Sequence, residues 1–148
     1  MSTTIHTDGG CLGNPGPGAW AYVLSAAGTD REGSGFLADT TNNRMELSAV
    51  IEALKAVSAD EGLRAAPIEV FTDSQYVQKG ITEWMKNWER NGWKTSAKAP
   101  VKNADLWREL KALSDGLSVH WHWVPGHAGH EFNERCHSLV EGRIKRRA

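Results

Sequence analysis

Thr7-Asp8-Gly9-Gly10-Cys11-Leu12-Gly13-Asn14-Pro15-Gly16-Pro17-Gly18 is the stretch around which this chain is organised. The residues leading into it, Thr3-Thr4-Ile5-His6-Thr7, are β-branched and apolar and predict a strand that ends on Asp8. Five glycines and two prolines follow within ten residues, which predicts a sharp turn and a backbone that approaches something closely. A carboxylate at a strand end, facing such a loop, suits a metal or phosphate site. Taken alone, the stretch reads equally well as a plain hairpin loop with Asp8 as its turn residue.

Working outward, the first strand's pattern recurs. Ile68-Glu69-Val70-Phe71-Thr72 is a second apolar, β-branched run that ends on an aspartate, Asp73. Between the two lie Ala19–Ala26, with Trp20, Tyr22 and Val23, and a run around Gly35–Ala38. Their short connections predict an antiparallel meander. Thr40-Thr41-Asn42-Asn43 then offers N-cap candidates for a helix over roughly 43–58, in which Val50, Ala53, Leu54 and Val57 recur at helical spacing. A strand–helix–strand order makes the first and fourth strands parallel neighbours, with Asp8 and Asp73 both at carboxyl ends. Glu46 stands four residues before Val50 and seven before Ala53, so it projects from the apolar face in the first turn. A first-turn acid complementing the helix dipole is the competing reading, but it explains an outward Glu52 better than an inward Glu46.

Charge is unevenly spread. Residues 1–78 carry four bases against ten acids, residues 79–111 eight against four, and residues 112–148 five against four. The basic segment is also rich in tryptophan. Gly80 is expected to interrupt a short helix that begins at Ser74, and a helix over 81–90 carries Trp84 and Trp88. A polar loop with Lys94, Lys98 and Lys102 follows, then a helix from about Asn103 with Leu106, Trp107, Leu110 and Leu113 on one face. Tryptophans among lysines stack on sugars or bases while ammonium groups meet phosphates. Trp107 and one or two others are assigned to the core, and Trp84 is kept as a surface candidate.

Ser118–Val124 predicts the fifth strand, which exits into Pro125-Gly126-His127-Ala128-Gly129-His130. A loop histidine between glycines is placed to shuttle protons. The last helix, from about Phe132 into Arg143, sets Cys136, Leu139, Val140 and Arg143 on one side and His137 near that side's edge. The 148 residues fit one domain, with no apolar run of membrane-spanning length and no signal peptide. Cys11 and Cys136 form no disulfide or zinc pattern, which favours a reducing, cytoplasmic home.

Asp8, Glu46 and Asp73 should therefore converge. Gathered negative charge is unfavourable unless cations fill it, and all-oxygen donors favour Mg²⁺ or Mn²⁺. Two such ions about 3.5–4 Å apart activate a water and stabilise a leaving oxygen in phosphodiester hydrolysis.

The chain resembles the type 1 ribonuclease H family of the bacterial kind. The matching pieces are Thr7-Asp8-Gly9 with Cys11-Leu12-Gly13-Asn14-Pro15-Gly16, Thr41-Asn42-Asn43-Arg44-Met45-Glu46-Leu47 and Thr72-Asp73-Ser74-Gln75-Tyr76-Val77. Gly92-Trp93-Lys94-Thr95, Pro100-Val101-Lys102-Asn103, Gly126-His127-Ala128-Gly129-His130 and Asn133-Glu134-Arg135-Cys136 continue the series in the family's order. The resemblance implies an α/β ribonuclease H-like fold over residues 1–148, a five-stranded mixed sheet flanked by helices with a basic handle insertion. It implies a monomeric endonuclease that hydrolyses the RNA strand of RNA–DNA hybrids and leaves 5′-phosphates, using two Mg²⁺ ions with Mn²⁺ as a substitute. The family's metal-binding carboxylates fall on Asp8, Glu46 and Asp73 and its mobile catalytic histidine on His127. Minor-groove contacts fall on Cys11, Asn14, Asn42, Asn43 and Gln75, and DNA-phosphate contacts on Thr41 and Asn103. Trp84, Lys94 and Lys98 belong to the handle that grips the DNA strand.

One position departs. After Asn133-Glu134-Arg135-Cys136 the family has a fourth aspartate, whereas here it is His137. His137 takes the place of a metal ligand and catalytic group, and a neutral imidazole suits Mn²⁺ better than Mg²⁺. His137 is also the one feature that favours a second reading, a hybrid-binding module with weakened catalysis. A third reading, a Holliday-junction resolvase of the same fold, is opposed by the Trp–Lys handle and by Asn42-Asn43.

Overall fold

The computed structural model describes residues 3–95, 97–124 and 131–146. Its strands are β1 (Thr3–Cys11), β2 (Gly16–Ala26), β3 (Thr29–Thr40), β4 (Ile68–Thr72) and β5 (Val119–Trp123). They form one mixed sheet in the order β3-β2-β1-β4-β5. The meander β1-β2-β3 is antiparallel, and β4 lies parallel to β1 and to β5. The helices are α1 (Asn42–Ser58), α2 (Glu61–Arg64), α3 (Gln75–Lys79), α4 (Met85–Arg90), α5 (Ala104–Asp115) and α6 (Glu131–Arg146). Among the described residues no helix is long and apolar enough to cross a membrane.

The larger core lies between the sheet and α1 and α5. Val50, Ala53, Leu54 and Val57 of α1 meet Ile5, Leu24, Ile68 and Val70 of the sheet, and Trp107 and Leu110 close it from α5. The opposite face is covered by α6, whose Cys136 and Val140 pack on Ala19, Ala21 and Val23 of β2. Strand alternation explains the split: the odd positions of β2 face α6, and Leu24 faces α1.

Three expectations about this frame need correction. β1 does not end at Asp8; it continues through Gly9 and Gly10 to Cys11, paired with β2 as far as Cys11↔Gly18. The expected turn falls at residues 12–15, where Gly13 has φ 72°, and the expected close approach falls on Gly9 within the strand. A Cβ on Gly9 would lie 2.5 Å from the Glu46 amide nitrogen, inside the backbone of α1. Gly80 does not break the helix either. The chain passes from α3 to α4 through a π-helical turn, Gly80–Trp84, and the indole of Trp107 fills the space that a Cβ at Gly80 would need. Finally, Thr41 is the N-cap of α1, its side chain accepting from the Arg44 amide at 3.2 Å, and no acid stands in the first turn. Glu46 belongs to the next turn, where the helix meets the sheet.

Candidate active site

The last paired residues of β1 and β4 are His6 and Phe71. Beyond that pair β1 runs on with only β2 beside it in the ladder, and this overhang carries Asp8. β4 ends at Thr72, so Asp73 emerges next to the overhang. The α1 backbone rests on Gly9 and brings Glu46 in from the helix side. One ligand oxygen from each of Asp8, Glu46 and Asp73 lies within 4.8 Å of the others. The three acids that the sequence places on different elements are brought together.

Their electrostatics are unfavourable as they stand. Asp8 is 5 % exposed and Glu46 7 %. Burial, then the charges of Asp8 and Asp73, push the Glu46 carboxyl well above the ordinary glutamate value, while the Gly9 amide and the Ser74 hydroxyl act the other way. Glu46 Oε1 is buried without a hydrogen-bond partner. An orphaned carboxylate oxygen facing two further carboxylates, all hard oxygen donors, fits a divalent cation.

The surrounding backbone fixes these groups. Ser74 caps α3 by accepting from the Val77 amide at 3.1 Å, and its own amide donates to Thr72 Oγ1 at 3.1 Å. The Trp123 indole N–H donates to the Asp73 carbonyl at 3.3 Å, tying β5 to the same corner. On the α6 side, His137 Nδ1 stands 3.3 Å from Asp8 Oδ2, and His137 Nε2 contacts the Glu141 carboxylate. His137 therefore borders the cluster but is not a member of the mutually close trio. His127 lies outside the described residues.

Of the substrate-contact candidates, Cys11, Asn14, Thr41 and Asn42 form one patch around the β1–β2 turn and the start of α1. The Asn42 amide donates to Asn14 Oδ1 at 3.0 Å, and Cys11 Sγ lies 3.3 Å from the carbonyl oxygens of both Gly16 and Thr40. Asn43 is half-buried beside them, and Gln75 is exposed at the start of α3, two residues after Asp73. Asn103 occupies a left-handed conformation (φ 61°) before α5, accepts from Arg44 at 3.2 Å and donates to the Tyr76 hydroxyl at 3.1 Å.

Lys94 and Lys98 are separate from this group. Both are exposed and line an open pocket of about 560 Å³ with Asn91 and Thr95. Trp84 is half-buried rather than a free surface ring, set edge-on to Tyr76 at 5.8 Å and tilted on Trp88 at 5.7 Å. The rings of Trp88 and Trp107, 5.5 Å apart, extend this cluster into the core.

Two residues carry more than their sequence context indicates. Arg44 grips Asp105 through both terminal nitrogens, at 3.1 and 2.8 Å, as well as Asn103, and so braces α1 against α5. It lies inside a family motif, but nothing in the motif names its partners. Glu141 carries one signal, its place four residues after His137 on a helix.

A family model described as RNase H matches residues 1–145. The chain is 52% identical over 148 residues to a ribonuclease H of Rhodopseudomonas palustris (strain HaA2), covering 97% of this chain and 89% of that protein. Among solved structures it resembles LC9-RNase H1, described as a type 1 RNase H with the type 2 active-site motif. That match has a TM-score of 0.85 and 33% identity, covering 99% of this chain and 74% of the other. RNase H1 from the halophilic archaeon Halobacterium salinarum NRC-1 matches with a TM-score of 0.72 and 30% identity, over 100% of both chains.

Proposed function

This chain belongs to the RNase H family, and from that premise we propose that it hydrolyses the RNA strand of RNA–DNA hybrids at two divalent cations held by Asp8, Glu46 and Asp73. The observation that carries the reading is the convergence of these carboxylates within 4.8 Å, with a buried, unpartnered oxygen on Glu46. Mg²⁺ is the ion that suits an all-oxygen donor set, with Mn²⁺ as a substitute. When bound, the ions activate the attacking water and offset charge on the leaving oxygen.

The chain's own residues supply position. Asp8 projects from β1 and Asp73 from the residue just past β4, and Glu46 closes the cluster from α1. His137 meets Asp8 from the other side and takes the role of the fourth ligand and catalytic group. His127 takes the role of proton shuttle, on the strength of its glycine-flanked motif. Cys11, Asn14, Asn42, Asn43 and Gln75 line the side of the cluster where the minor groove of a hybrid would lie. Thr41 and Asn103 are its phosphate contacts, and Trp84, Lys94 and Lys98 hold the DNA strand further out. The 2′-hydroxyl is what distinguishes the strand to be cut. Backbone and groove contacts of this kind confer little sequence preference. A binding-only module is not favoured, since all three carboxylates are present and converge.

The test is cleavage of a labelled hybrid against single-stranded RNA and duplex DNA, with Mg²⁺, with Mn²⁺ and in chelator. Only the hybrid is cut, and only with metal. Asp8→Asn and Asp73→Asn abolish cleavage and retain hybrid binding, because an amide oxygen is a weaker ligand. Turnover like that of the parent in either variant would sink the assignment.

A further inference from the structure

We propose that Glu141 is the positioning residue for His137, turning its imidazole so that Nδ1 faces the acid cluster as a nitrogen donor at the cluster's edge. This rests on the metal reading above and deepens it at His137, where the family resemblance leads one to expect an aspartate.

The two nitrogens of His137 have different surroundings. Nδ1 faces Asp8 Oδ2 at 3.3 Å, and Asp8 is buried in the cluster. Nε2 contacts Glu141, which lies one turn further along α6 on the solvent side with its side chain 66% exposed. Both facing groups are carboxylates, which only accept: Glu141 takes the hydrogen on Nε2, and Nδ1 is the nitrogen turned toward Asp8, where a cation can take the place of its hydrogen. A carboxylate partner on the second nitrogen is also what orients histidines that bind metals. Rotating the ring by half a turn would put carbon where each nitrogen now stands and break both interactions at once.

Glu141 also explains how a histidine is accommodated here. An aspartate at position 137 would face the Glu141 carboxylate as a like charge one helical turn away, which is unfavourable. With His137 the same glutamate becomes a partner. The effect of removing Glu141 should therefore reverse sign with the identity of residue 137.

The experiment uses the full chain and Mn²⁺ alone as the probe. Calorimetric titration measures affinity, and long-range ¹H–¹⁵N spectra of the His137 ring report whether Nε2–H is held in a hydrogen bond. Glu141→Ala lowers Mn²⁺ affinity about tenfold and abolishes that hydrogen bond. Glu141→Gln, whose amide oxygen still accepts from Nε2–H, preserves both. In the His137→Asp background, Glu141→Ala leaves Mn²⁺ affinity unchanged or raises it. The proposal is overturned if Glu141→Ala alters neither readout, if Glu141→Gln falls as far as Glu141→Ala, or if the loss persists with aspartate at 137. Failure of the metal reading is separate: the parent chain would then take up no Mn²⁺, or Asp8→Asn would bind it as tightly as the parent.

Discussion

Burial and two neighbouring carboxylates act on Glu46 in one direction, toward the protonated form. Its folded-state pKa is raised above the ordinary 4.5, so the folded protein binds more protons than the unfolded chain above that value. In chelator, the stability linked to Glu46 is fully present below about pH 4.5 and is lost as pH rises toward its folded pKa. Glu46→Gln removes that loss. Melting temperatures of the two proteins in chelator should diverge with rising pH, the variant melting higher, and a saturating divalent ion should raise the parent more than the variant. A gap that stays constant across the pH series would contradict this account. The inward face of Glu46 is legible in the sequence because the apolar spacing of α1 leaves it no other side. The role of Gly9 is not, because a glycine that admits a neighbouring helix looks the same in sequence as one that bends the chain. Nor is the pairing of Glu141 with His137, since most such pairs on an exposed helix face carry no site.

At the scale of elements, the passage from α3 to α4 shows how one small residue sets a helix's path. Gly80 sits where the Trp107 ring crosses, and Trp107 is fully buried and cannot retreat. Its indole N–H also donates to the Tyr76 hydroxyl at 3.0 Å, the same oxygen that receives Asn103. Gly80→Ala should therefore destabilise by about 1–3 kcal/mol despite alanine's better helix propensity. Thermal or denaturant unfolding checks this, and a variant as stable as the parent would show that the ring can move aside. Element order and strand direction are legible in the sequence, since two apolar, β-branched runs carrying Thr7-Asp8 and Thr72-Asp73 with a helical pattern between them admit few topologies. Element length is less so. β3 runs from Thr29 to Thr40, although the sequence indicates only its middle, because its glycines lower strand propensity. A Cβ at Gly33 would lie 2.4 Å from the Tyr22 ring and one at Gly35 2.5 Å from the Trp20 ring, so cross-strand aromatic cover explains how such residues persist in a strand.

Across the whole molecule, charge is segregated: the segment holding the acid cluster is acidic, and the segment from α3 through α5 is basic. A hybrid spanning both would place its scissile phosphate at the cations and other phosphates on lysines. Lys94→Glu with Lys98→Glu should raise KM more than it lowers kcat and flatten the dependence of log Kd on log salt by about one unit for each phosphate that is no longer neutralised. An unchanged slope would mean that these lysines do not meet phosphate. The close packing of Gly9 on α1 bears on how the protein meets its ions. Because β1 and α1 touch through backbone, Asp8 and Glu46 are brought together by the packing of sheet and helix. The spacing of those two backbone positions is thus settled during folding, like the bore of a socket.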